Sequence, residues 1–81
     1  MTTSADYPVY PVRGADALGR ALRRRRADLG LTQQEVAGLS MVSRQTIVAI
    51  ENGRETKALT AIFDTAGALG LELVVRTRVG P

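Results

Sequence analysis

TQQEVAGLSMVSRQTIVAIENGR, the stretch from Thr32 to Arg54, reads as two short helices joined by a tight turn, and the rest of the chain is arranged around it. The Thr32 hydroxyl is placed to accept from a backbone N–H near Glu35, and the Glu35 carboxylate to reach back to the Thr32 N–H, a capping box that starts the first helix. Val36 and Ala37 supply its inward face, Leu39 to Val42 carry the chain round, and Ser43 offers a second N-cap hydroxyl just before Arg44. Ile47 and Ile50 lie one turn apart and can face the first helix, which leaves Arg44, Gln45, Val48 and Ala49 pointing outward. Those four are the candidate reading face of a helix that enters a DNA groove.

On the N-terminal side, Ala15 to Leu29 has helical periodicity, with Leu18, Ala21, Leu22 and Leu29 on one stripe and Gly30 placed to end it. Arg20 and Arg23 to Arg26 crowd this helix, and most of them read as a solvated face. Arg26 falls near the apolar stripe, where an unpaired guanidinium is costly, so it needs an acidic partner; Glu51 is the candidate. Before that helix, YPVYP contains Pro8 and Pro11, which favour extended backbone, so residues 1–13 are expected to form an arm; whether it docks or hangs loose stays open.

On the C-terminal side, Asn52 and Gly53 end the second motif helix, and Thr56 can cap a further helix through Leu69 whose Leu59, Ile62, Phe63, Ala66 and Leu69 recur at helical steps. Gly70 breaks it. LELVVRT follows as a strand, with Leu71, Leu73 and Val75 alternating with Glu72, Val74 and Arg76. A lone strand needs a mate for its backbone groups. The simplest is the same strand of a second copy, making Leu71, Leu73, Val74 and Val75 a dimer strand; the alternative is the chain's own YPVYPV arm.

Composition narrows the chemistry. At 81 residues the chain supports one small domain with a modest core. No apolar run approaches the roughly 20 residues of a membrane span, and MTTSADYPVYPV lacks the pattern of a signal peptide, so a cytoplasmic protein is expected. Without Cys or His there are no disulfides, no thiolate chemistry, no usual zinc ligands and no imidazole base; we expect neither an enzyme nor a metal or cofactor site. The net charge is +3 and ten of the eleven cationic residues are Arg, which favours forked contacts to phosphate or carboxylate.

With these residues in place, Leu29 to Arg54 resembles the helix-turn-helix of the phage-repressor and Cro-like family, through GLTQ, then E-V-A, then V-S-R-Q-T-I, then E-N-G-R at matching spacings. The resemblance implies a mainly α, lambda-repressor-like DNA-binding domain of four to five helices, with a C-terminal β-strand that pairs across a homodimer. It implies that Arg44 and Gln45, with Val48 and Ala49 beside them, meet base edges, that Gln33, Ser43, Thr46 and Arg54 approach phosphates, and that Arg26 and Glu51 form a structural ion pair. Arg suits guanine and Gln adenine. Two departures stand out: Met41 occupies a turn position where the family usually has Gly, and Arg25 a site often apolar in relatives. From Gly14 to Arg76 the chain looks more narrowly like HipB-type antitoxins, in which a fourth helix runs directly into a C-terminal strand.

Together the readings divide the chain into an extended arm over 1–13, a DNA-binding domain over 14–70 and a dimerisation strand and tail over 71–81, and the narrower resemblance implies dimerisation partly through that strand. It further implies binding to a palindromic operator on double-stranded DNA, repression of its own operon, and neutralisation of a HipA-type kinase toxin. The alternatives are a stand-alone repressor, or a protein-interaction module whose helix-turn-helix is only a scaffold.

Overall fold

The computed structural model describes residues 9–78; the expected arm is therefore seen only from Val9, and Tyr7 and Pro8 lie outside it. The element order is β1 (Val9–Pro11), α1 (Ala15–Asp28), α2 (Gln33–Ser40), α3 (Arg44–Glu51), α4 (Lys57–Ala68) and β2 (Val74–Arg76). Mainly helical, with a small two-stranded antiparallel sheet, the described residues have four helices, the lower count expected.

Three of the helices start on side-chain caps. Thr32 Oγ1 accepts from Glu35 N at 3.0 Å while Glu35 Oε1 accepts from Thr32 N at 2.8 Å. Ser43 Oγ accepts from Thr46 N at 3.1 Å, and Thr56 Oγ1 from Leu59 N at 3.1 Å. The carboxyl of Glu35 is held below its ordinary range, chiefly by the Thr32 backbone N–H. After α1, α3 and α4 the chain turns through a glycine of positive φ, but after α2 the turn falls on Met41, at φ 59° and ψ 39°.

The turn is thus not reshaped around Met41; the strain is tolerated. Its side chain is 92% exposed, so it returns no packing. Met41→Gly is therefore expected to stabilise the domain by up to about 1 kcal/mol, the left-handed strain less the greater freedom of an unfolded glycine. Chemical denaturation would check this, and an unchanged or lower midpoint would mean that Met41 makes a contact elsewhere.

The core is built around α3, against which both α1 and α2 pack. Gly19 on α1 makes this possible: a Cβ there would strike the carbonyl oxygens of Ile50 and Glu51, so the two backbones touch where the side chain is missing. Ala37 and Ile47 are buried in α2 and α3, Val12 and Ala15 just before and at the start of α1, and Ala66 in α4. Among the described residues no large side chain is completely buried. The stripes expected to form the core are only partly covered: Leu22 of α1 and Leu29 at its C-cap, Ile50 of α3, and Ile62 of α4 and Leu69 at its C-cap are all exposed.

β2 is shorter than the expected Leu71–Thr77 run, and its mate within the chain is β1, in the register Val9↔Arg76, Tyr10↔Val75 and Pro11↔Val74. Within the chain β2 therefore takes the alternative mate, its own arm, along one edge. Leu71 lies before the strand because its N–H closes the end of α4 by donating to Ala66 O at 2.8 Å; Leu73 instead offers its carbonyl to Val12 N at 2.9 Å. The arm wins because it is tethered beside the strand in the same chain, which removes the entropy of bringing two molecules together. Arg13 and Glu72 add an exposed ion pair at 3.3 Å.

Candidate nucleic-acid interface

The interface is assembled on α3, and its floor is an ion pair. Arg26 Nε donates to Glu51 Oε2 at 2.6 Å and Nη2 to Oε1 at 3.0 Å, a forked contact joining α1 to the last turn of α3. Arg26 Nη1 also donates to Leu31 O at 2.8 Å, tying in the loop before α2. The Glu51 side chain is 5% exposed and that of Arg26 17%. The Arg26 hydrogen bond holds the Glu51 carboxyl below the usual range against the opposing effect of burial, with Gln33 assisting. The same bond pushes the guanidinium of Arg26 up.

Gln33 extends this pair to the surface. Its Nε2 donates to Glu51 Oε1 at 3.1 Å, and its Oε1 accepts from Arg44 Nη2 at 3.4 Å. A chain of polar contacts thus runs Arg26–Glu51–Gln33–Arg44, from the buried pair to the first residue of α3. Gln33 is half-buried and its amide already occupied on both atoms, so its remaining N–H and the backbone N–H at the start of α2 are what it can offer a phosphate.

Ser43, Gln45, Thr46, Ala49 and Arg54 line one shallow depression of about 440 Å³ along the outer side of α3. Ser43 and Thr46 share a hydroxyl contact at 2.9 Å and remain exposed, as do Arg44, Gln45 and Arg54. Arg44 lies outside the depression, on the α2 side next to Gln33. Val48 and Ala49 are half-buried on a helix against which α1 and α2 both pack. Glu55 and Thr56 also line the depression. Sequence reading passed over Glu55 because no local pattern marks a loop residue that only the fold returns to the helix face.

Gly19 is a functional position that no local pattern marks: among the described helical glycines only there would a Cβ meet backbone, whereas Gly38 and Gly67 have open space.

A family model described as helix-turn-helix matches residues 22–75, covering most of the chain and all of α2 and α3. The chain belongs to the helix-turn-helix family. Two curated relatives carry the name "uncharacterized HTH-type transcriptional regulator". One, from Methanothermobacter thermautotrophicus, is 47% identical over 51 residues, which span 63% of this chain and 74% of the relative. The other, y4dJ from Sinorhizobium fredii, is 36% identical over 67 residues, spanning 79% of this chain and 87% of the relative. No solved structure matches. Among the described residues, no helix of this helix-turn-helix chain is long and apolar enough to cross a membrane.

Proposed function

We propose that the chain is a sequence-specific, DNA-binding transcriptional regulator that acts as a homodimer on an inverted repeat. The observation that carries this reading is the exposed start of α3, where Arg44 and Gln45 stand free of the core while Ser43 caps the helix and the Arg26–Glu51–Gln33 network braces it from beneath. Arg44 and Gln45 read bases; Ser43, Thr46, Arg54 and Gln33 hold phosphates; Val48 and Ala49, half-covered, give apolar contact at the groove edge. The names of the two relatives support the regulatory role.

Two short readers per subunit specify few bases, so specificity needs two copies with recognition helices about 34 Å apart. β1 occupies one edge of β2, and the other edge is open to β2 of a second copy, giving a four-stranded sheet across the two-fold axis. The finer reading is an antitoxin that represses its own operon and neutralises a HipA-type kinase toxin; the direct passage from α4 into β2 supports it. The plain regulator without a toxin is the alternative, and the neighbouring reading frame distinguishes the two. A pure interaction module, for which the apolar Val48 and Ala49 and an unpaired strand would speak, is less favoured, because that pair is half-buried and β2 is paired with β1.

Selection from a random duplex library tests the DNA reading. The expected product is an inverted repeat with half-sites one helical turn apart, bound with an affinity that falls steeply with salt. If no sequence were enriched, at low salt as well as high, DNA reading by α3 would be excluded.

A further inference from the structure

An apolar surface lies apart from Arg44 and Gln45. Leu22, Leu29, Leu31, Leu39, Val42 and Ile50, from α1, α2, α3 and their connections, line an open trough of about 440 Å³. Leu39 is 76% exposed on its rim, and no residue of α4 or of either strand lines it. A continuous apolar trough of this kind on a small domain marks an interaction site.

A matching convex surface stands on the same chain. Helix α4 turns Phe63 and Ala66 inward, to a depression shared with Val12 and Leu73. The adjoining flank carries Ala58, Ile62 and Thr65, with Leu69 just past the helix end, a ridge at helical spacing in which Ile62 and Leu69 are exposed. Neither surface is covered by the described residues, and both are apolar. Arg25 borders the trough and Asp64 stands on the same helix as the ridge, both exposed and neither in a salt bridge among the described residues.

We propose that the trough receives helix α4 of a second copy, reciprocally, so that each chain completes the core of the other. Two-fold symmetry satisfies both surfaces in one closed pair, whereas one-way docking would leave a trough and a ridge uncovered at the ends. Position favours the same solution. Leu22, Arg25 and Leu29 also border a groove that reaches Tyr10, Val75 and Arg76, so the trough opens beside β2. In a dimer paired through β2, the element next to the partner's strand along the chain is the partner's α4. The inference therefore rests on the homodimer proposed above and adds its core.

The chain has no cysteine, so single thiols can be placed without interference. S40C on the rim of the trough and T65C on the α4 ridge are both at exposed positions outside the DNA-reading face. Chains carrying one or the other, distinguished by mass, would be mixed, allowed to exchange subunits and treated with a short bismaleimide. Sedimentation and operator binding of both variants would be measured in parallel. The expected result is a dimer that cross-links S40C to T65C, and whose dissociation constant rises about 100-fold or more in L39D and in I62D. A dimer that binds operator but never forms the mixed cross-link would overturn the trough exchange alone. A monomer that binds single half-sites would overturn the exchange and the homodimer together, leaving the DNA reading intact.

Discussion

Glu51→Ala is expected to lower the unfolding free energy by about 2 to 3 kcal/mol, at or just below the lower end of the range for breaking a buried ion pair. Three contacts end at this carboxylate: two from Arg26, at 2.6 and 3.0 Å, and one from Gln33 at 3.1 Å. Removing it leaves the Arg26 guanidinium held only by Leu31 O, between α1 and α3 where Gly19 has brought the backbones together. The loss sits at the low end because the Arg26 side chain keeps 17% of its surface accessible and can draw in water. In a domain of this size the melting temperature should fall by roughly 10 to 20 °C. Thermal unfolding checks this, and a shift within a degree or two would show that solvent already shares the pair.

The same carboxylate sets an acid limit. Its native pKa is lowered, so the unfolded chain binds the proton more readily. The stabilisation is complete above the ordinary Glu value of about 4.3 and is lost as pH falls through that value towards the depressed native one. Stability should therefore decline on acidification below about pH 5, and Glu51→Gln should flatten that decline.

Arg44→Ala and Gln45→Ala are expected to flatten base preference, each removing roughly 1 to 3 kcal/mol of discrimination per half-site, or about 5- to 150-fold. Arg44 starts α3, exposed and steadied by Gln33 at 3.4 Å, with most of its guanidinium donors still available. Gln45 lines the adjoining depression. Arg54→Ala should instead weaken all sequences alike and reduce the salt slope by about one. Arg54 is a cleaner phosphate test than Gln33, because replacing Gln33 also takes a hydrogen bond from Glu51. Titrations across single-base operator variants separate these effects. If the Arg44→Ala protein ranked the variants as the parent does, the bases would be read from another face.

Much of the local structure is legible in the sequence because its causes lie within a few residues. Thr32, Ser43 and Thr56 announce helix starts by hydroxyls that reach N–H groups three positions on. The glycines after α1, α3 and α4 announce ends by a conformation other residues avoid, and Met41 shows its departure by standing where that conformation is needed. The helix-turn-helix is legible for the same reason.

What the sequence leaves open depends on contacts between residues far apart. Periodicity shows that Leu22, Leu29, Ile62 and Leu69 belong on apolar faces, yet only the tertiary structure shows those faces uncovered within one chain. The mate of β2 is likewise undetermined locally, because any strand edge offers the same hydrogen bonds; the position of the arm at the start of α1 decides it. Gln33 and Glu55 complete the division. By itself the sequence determines four capped or terminated helices, through short-range hydrogen bonding and glycine conformation. The tertiary structure alone decides which polar atoms are already occupied, which apolar faces stay open and which edge is paired, because burial is a property of all the elements packed together.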